Sequence, residues 1–428
     1  MIPSNLISKK RDGNVLTKDE ISVFFTDYLS GNVTDAQMSA MLMAIYFNGM
    51  EEREIFTLVE VMLHSGSILN FPDLEKHIAD KHSTGGIGDK ISFILAPIMA
   101  AAGIKVPMIA GRGLGFTGGT VDKLESIHGI NTSPDINTFM DWVNEIGYAI
   151  ISQSNQICSA DKKLYDLRSK TGTVPSIPLI CGSIMSKKIA EGLNGLVLDI
   201  KVGNGTFMKT ISQAKKLGSL MKKIGDSFDI KTDVIYTNMN QPLGRFAGLA
   251  CEIQESIDCL KGNGPKDLMD ITISLGSRLL IQSGQTNNKS EAIKIQEDLI
   301  ESGVALRKFE SSVEKQGGIL DEFKFKNKPK YEKLIYLNKE GIISEMNTEM
   351  IGWALVQLGC VKKNNFDNLD FSAGIEFIKK IGDHVCKSEP VFRLFNSNKD
   401  ILDKVDESIR STVLVSDNYK KDPVELFL

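Results

Sequence analysis

The chain has 428 residues, 42% of them apolar and 24% charged, and a net charge of −4. That length and balance predict two or three globular domains with ample core. The absence of any long basic run excludes a general nucleic-acid binder, which needs a positive footprint.

The opening MIPSNLISKKRDG carries charge but no apolar core of a signal peptide. Thr17-Lys-Asp-Glu20 and Thr34-Asp-Ala-Gln37 are capping boxes. Ile21, Phe24, Phe25 and Leu29 follow the first at helical spacing, and Met38, Met41, Leu42 and Ile45 follow the second, which Asn48-Gly49 stops. With a third helix over 51–64, the first 65 residues read as a helical module.

From about residue 78 the pattern changes. Lys105–Ala110, Tyr148–Ile151, Leu196–Val202 and Val234–Thr237 are short β-branched runs, separated by helical stretches such as Pro134–Ile146 and Ile211–Ile224. Such alternation predicts a parallel sheet with crossover helices, which binds ligands at the carboxyl ends of its strands. Beyond about 330, short strands and one helix, Glu349–Leu358, predict a small α+β portion. The most apolar stretch, 93–104, is shorter than the roughly 18 residues that span a bilayer. Cys158, Cys181, Cys251, Cys259, Cys360 and Cys386 show no C-x-x-C spacing and read as buried free thiols, neither a disulfide framework nor a zinc site. A cytoplasmic protein without a membrane segment is expected.

Two glycine-rich stretches stand out. Lys81-His-Ser-Thr-Gly-Gly-Ile-Gly-Asp-Lys90 lacks the G-x-x-x-x-G-K-[ST] spacing of a P-loop, yet its glycines, hydroxyls and lysine suit an anion held by backbone N–H groups. Gly111-Arg-Gly-Leu-Gly-Phe-Thr-Gly-Gly-Thr120 contains a formal G-x-G-x-x-G at 113–118, which reads equally well as a tight turn into a capped helix. If the two face each other, Lys81, Ser83, Ser92 and Thr120 surround a phosphate-sized anion. A third stretch holds Tyr165, Arg168 and, four apart on one helical face, Ser183 and Lys187. A solvated face is the alternative there.

Together these segments resemble the family of thymidine phosphorylases and pyrimidine-nucleoside phosphorylases. The resemblance rests on DKHSTGGIGDK at 80–90, GRGLGFTGGTVDKLES at 111–126, ADKKLYDLRSKTGTVPSIPLICGSIMSKK at 160–188 and VLDIKVGNGTFMK at 197–209, with QPLGRFAGLACEIQE at 241–255 and LKGNGPKDL at 260–268. It implies an α/β fold: a helical domain from two chain segments (1–66 and 160–192), a larger α/β domain with a mostly parallel sheet (67–159 and 193–329), and a C-terminal α+β portion (330–428). It implies phosphorolysis, in which phosphate attacks C1′ of a pyrimidine nucleoside such as uridine, deoxyuridine or thymidine to give free base and a (deoxy)ribose 1-phosphate.

By the same resemblance, Lys81, Ser83, Ser92 and Thr120 hold phosphate. Arg168, Ser183 and Lys187 clamp the pyrimidine, His82 acts as acid or hydrogen-bond donor to the leaving base, and Tyr165, Leu114, Phe116, Val174 and Phe207 wall its pocket. His82, Arg168 and Lys187 are the catalytic set. No cofactor is required beyond inorganic phosphate as co-substrate. Gly88, Lys90, Leu243, Phe246 and Glu255 match the positions at which some relatives hold a structural monovalent or calcium ion. A homodimer through the N-terminal helices is implied, with a cleft that closes to join phosphate and nucleoside.

The chain departs from the family pattern at Ala110, where a phosphate-contacting Ser is usual, at Phe116 in place of His, at Ser169 in place of Asp, and over 170–176. Three of these four cluster around the nucleoside and predict shifted specificity. A phosphoribosyltransferase of the anthranilate type shares the architecture but needs magnesium, and no acidic metal-binding pair occupies the expected loop. A relative that binds nucleoside or phosphate without turnover is the alternative from another class.

Overall fold

The structure, a computed structural model, describes residues 2–71, 77–113, 115–154, 156–362, 368–417 and 424–428. It divides into two compact units, the first of Met1–Ile78, Gln153–Leu196 and Lys216–Thr232, the second of Ala79–Ser152, Val197–Lys215 and Asp233–Leu428.

The first unit is helical. Helices Pro3–Arg11, Lys18–Ser30, Asp35–Asn48 and Glu52–Leu63 come from the N-terminal segment, and Ser159–Thr171 and Ile177–Ala190 from the second. Both predicted capping boxes form, with Thr17 and Thr34 accepting from the backbone of Glu20 and Gln37. Phe24, Phe25, Met38, Met41, Leu42 and Ile45 bury against Leu164, Leu167 and Leu179, so two distant segments share one core. Inside it the Glu54 carboxylate accepts from Lys10 Nζ at 3.0 Å, Leu16 N at 2.9 Å and Glu51 N at 2.7 Å.

The second unit begins with strands β1 (Ala79–Ser83), β2 (Val106–Ala110), β3 (Tyr148–Ser152), β4 (Gly195–Val202) and β5 (Lys231–Asn238). β2 and β3 pair in parallel from Val106↔Tyr148 to Ala110↔Ser152, and the other three run in the order β1-β4-β5. Ala79 N donates to Lys105 O at 2.9 Å, which sets β1 beside the start of β2. The four predicted strands are present. β1 was not anticipated, because ADKHS lacks the apolar alternation that marks a strand from sequence. The helix Ile91–Ala101, buried from Ile91 to Ala100, lies in the core of this unit.

The C-terminal portion adds β6 (Phe246–Gly248), β7 (Tyr331–Tyr336), β8 (Gly341–Met346), β9 (Gly374–Phe377), β10 (His384–Val385), β11 (Pro390–Asn396) and β12 (Val413–Ser416). They form two antiparallel sheets, β6-β9-β11-β7 and β10-β8-β12. Among the described residues two helices occur here, not one. Besides Thr348–Gln357 there is Lys399–Arg410, whose charge obscured the Leu402, Val405 and Ile409 spacing that buries it. All six cysteines are free, but Cys251 and Cys386 are half-buried rather than buried. Among the described residues, no helix is long and apolar enough to cross a membrane.

Removing one partner of a buried ion pair strands the other charge, at a cost of about 3–5 kcal/mol. Glu54→Ala is therefore expected to destabilise the chain by that order in a denaturant titration. A loss below about 1 kcal/mol would show that Lys10 finds water instead.

Candidate active site

The first glycine stretch runs from β1 into the helix Ile91–Ala101. Strand alternation sends Lys81 and Ser83 to one face and the half-buried His82 to the other. Thr84 N donates to Asp199 O at 3.1 Å, and Lys201 N donates to Thr84 Oγ1 at 2.9 Å, pinning the loop to β4. Ser83 Oγ accepts from Gly85 N at 3.2 Å. Gly88 adopts φ +75°, and any Cβ there would strike the Leu243 carbonyl. Ser92 follows in the first turn of the helix, whose dipole favours an anion.

The second glycine stretch is a turn into the five-residue helix Thr120–Leu124, not a dinucleotide fingerprint. Arg112 is held by Asp122 and Glu125 at 2.9 and 2.7 Å, and Gly113 N donates to Asp122 Oδ2 at 2.6 Å. Lys123 Nζ donates to Asp89 O at 2.8 Å and pairs with Glu252 at 2.6 Å. Lys81, Ser83, Asp89 and the helix begun by Thr120 are thus tied together. Ala110 ends β2 and offers no hydroxyl. Leu114 lies outside the described residues.

Lys81 is buried, and its ion pair with Asp89 spans 3.9 Å, too long for a hydrogen bond. Burial pushes its ammonium pKa down, against the pull of Asp89 and Asp199. Burial acts on Asp89 in the opposite sense, but Lys81, Lys201 and the Ser83 hydroxyl outweigh it and hold this carboxyl well below the usual range. Asp89, Lys123, Asp199 and Lys201 were not anticipated as site residues. The available signal was an Asp and a Lys two apart, hence on one face, in the otherwise apolar VLDIKV of β4.

In the first unit, Lys187 Nζ donates to Asp161 Oδ2 at 2.5 Å, to Ser183 Oγ at 3.0 Å and to the Ser183 carbonyl. Arg168 donates to Leu179 O at 3.0 Å and Val174 O at 2.7 Å, and its Nε has no partner. Burial lowers the guanidinium pKa, opposed by Asp161 and Tyr165. Arg168, Ser183 and Lys187 are each no more than 4% exposed, so the solvated-face alternative is wrong. Tyr165 is half-buried one turn before Arg168. Asp161 is the residue missed here; 26 positions from Lys187, it left no local signal. Ser169 is exposed and donates to Asp166 O at 2.7 Å within its own helix.

Phe116 and Phe207 belong to the second unit, with ring centroids 5.8 Å apart and Trp353 6.0 Å from Phe116. Phe116 is only 5% exposed and packs into the core of the C-terminal portion.

Family models match most of the chain. Residues 4–66 fit the helical bundle domain and 75–306 the a/b domain of a glycosyl transferase family. Residues 342–416 fit the pyrimidine nucleoside phosphorylase C-terminal domain. Pyrimidine-nucleoside phosphorylases of Staphylococcus aureus strains MSSA476 and N315 are each 42% identical over 417 residues, covering 97% of this chain and 96% of theirs. The chain belongs to the pyrimidine-nucleoside phosphorylase family. This is a family of pentosyltransferase enzymes. The crystal structure of anthranilate phosphoribosyltransferase from Thermus thermophilus shares the fold, with a TM-score of 0.58 at 16% identity over 72% of this chain and 98% of that one.

The implied ion positions do not fit a metal here. Lys90 Nζ donates to Leu243 O at 3.3 Å, to Phe246 O at 2.6 Å and to the Glu255 carboxylate, occupying the oxygens a metal would need. One other metal-ligand grouping occurs among the described residues, Glu340, His384 and Cys386, with ligand atoms within 4.8 Å of one another. It lies in the C-terminal portion.

Because Asp89 is depressed below its unfolded value of about 3.9, its stabilisation is complete above pH of about 4 and fades as pH falls through the folded pKa. Asp89→Asn is expected to be less stable than the parent at pH 7, with the difference shrinking below pH of about 4. A gap that stays constant down to pH 2 in thermal melts would show that the charge of Asp89 is not what stabilises the loop.

Proposed function

We propose that this chain cleaves pyrimidine nucleosides (uridine, deoxyuridine or thymidine) by phosphorolysis, releasing free base and a (deoxy)ribose 1-phosphate. One observation carries the reading. In each unit a buried cation of the motif set, Lys81 or Arg168, lacks a carboxylate within hydrogen-bond distance. Lys81 is short of an anion beside a glycine loop and a helix N-terminus, which suits phosphate. Arg168 offers a guanidinium satisfied only by carbonyls, which suits the electron-rich oxygens of a departing pyrimidine.

The chemistry assigns roles. A phosphate oxygen attacks C1′, the C1′–N1 bond breaks, and its electron pair leaves with the base. Lys81, Ser83, Ser92, Thr120 and the loop N–H groups hold the phosphate. Arg168, Ser183 and Lys187 stabilise charge on the base, Asp161 fixes the Lys187 ammonium, and His82 donates to the leaving group. Tyr165, Val174 and Phe207 wall the base. The co-substrate is inorganic phosphate, and no other cofactor enters. Six free thiols fit a reducing, cytoplasmic setting. Exposed Val23, Met43, Tyr46 and Phe47 on the N-terminal helices support a homodimer.

Ultraviolet absorbance should show release of base from uridine, deoxyuridine or thymidine only when phosphate is present. Phosphate-independent release would make the chain a hydrolase. Binding of phosphate and nucleoside without release would make it a binding protein. Replacing a group that stabilises transition-state charge costs about 100- to 1,000-fold, so Arg168→Met and Lys187→Met should each lower kcat/KM by that order.

Phe116 should tune which nucleoside is preferred, since its ring is positioned by Phe207 and Trp353. Phe116→His is expected to reorder the kcat/KM ranking of the nucleosides. An unchanged ranking would reduce Phe116 to a packing residue.

A further inference from the structure

The Lys90 side chain is fully buried, and its ammonium sits among three oxygens. Two are main-chain carbonyls, of Leu243 and Phe246, and one belongs to the Glu255 carboxylate. An ammonium has three donors, so its hydrogen bonding is complete. Converging carbonyls with one carboxylate are the donor set of a hard cation bound through oxygen. The second Glu255 oxygen accepts from Arg245 N at 2.7 Å, so the carboxylate also closes the turn that supplies the carbonyls. Gly244, at φ +73°, forms the wall of this cage, and a Cβ there would lie 2.9 Å from both Lys90 Nζ and Glu255 Oε2. Burial works against the Lys90 charge, and Glu255 and Glu252 outweigh it, so its pKa is raised and the group stays cationic.

Lys90 closes the phosphate-side loop and immediately precedes the helix Ile91–Ala101. Its neighbour Asp89 faces Lys81. Whatever holds Lys90 therefore sets the loop on which Lys81, Ser83 and Ser92 depend.

We propose that Lys90 is a tethered structural cation: its ammonium does the work of a bound monovalent ion, clamping the 84–90 loop to the 243–246 turn and the helix Ala250–Leu260 without drawing on dissolved metal. A covalently attached ion cannot diffuse away, so the clamp is independent of ionic composition. The cage fits an ammonium or potassium, which are close in size. A metal added to the intact cage would meet the Lys90 charge at contact.

The test compares thermal melts in potassium chloride, calcium chloride and tetramethylammonium chloride at equal ionic strength. The parent chain is expected to melt at the same temperature in all three. Lys90→Ser, which empties the cage, is expected to lose about 5 °C or more in tetramethylammonium and to recover saturably with potassium. Lys90→Met, which fills the cage without charge, is expected to show the loss and no recovery. The proposal is overturned by saturable stabilisation of the parent by potassium or calcium, by recovery of Lys90→Met, or by failure of Lys90→Ser to recover in potassium, including failure to fold there. None of these readouts depends on catalysis, so the outcome stands apart from the activity proposed above.

Discussion

Burying a lysine is costly unless acceptors or an acid compensate its charge, and the second unit buries four around its glycine loops. Lys81, Lys90, Lys123 and Lys201 are all no more than 5% exposed. Each has an acid beside it: Asp89, Glu255, Glu252 and Asp199. Such pairs add little net stability over well-packed apolar residues, but they are unforgiving about position. Lys90 and Lys123 tie the first glycine loop and the short helix at Thr120 to the helix Ala250–Leu260, and Lys81 links β1 to Asp89 of that loop. Three of the four pairs close at hydrogen-bond range. Of the four, Lys81 is left at 3.9 Å from its acid, and it is the one to which the proposed function gives the phosphate.

The first unit solves the same problem with fewer charges. Asp161 and Ser183 hold Lys187, while Arg168 relies on the carbonyls of Val174 and Leu179. Both carbonyls come from the stretch joining or opening the two helices of the second segment. The departure from the family pattern over 170–176 therefore falls on the stretch whose Val174 carbonyl holds Arg168. Ser169, by contrast, points into its own helix and solvent. Ala110 offers no hydroxyl at the end of β2, which under the proposed function costs phosphate one hydrogen bond worth about 0.5–1.5 kcal/mol.

Much of this was legible in the residues. The capping boxes at Thr17 and Thr34, the four apolar strands and the helical spacing of Ser183 and Lys187 all rest on local periodicity, and all are present. β1 was illegible because, Ala79 apart, its buried side chains are polar, and burial of polar groups leaves no periodic trace. The helix Lys399–Arg410 was missed because charge masked a narrow apolar stripe. Asp199 and Lys201 carried a usable signal, two ions in an apolar strand, whereas Asp161 carried none.

The sequence by itself determined most of the element types, the family and the motif residues from which the phosphate and pyrimidine roles are proposed. Those follow from short-range spacing and from motifs that survive as strings. Only the tertiary structure decided which charges neutralise one another, because the pairings reach far along the chain, across 165 positions between Lys90 and Glu255. It placed the ring of Phe116 against Trp353 and set the Lys90 ammonium among oxygens that a string comparison assigns to a metal. Charge pairing depends on distance in space, and that distance exists only once the chain has folded.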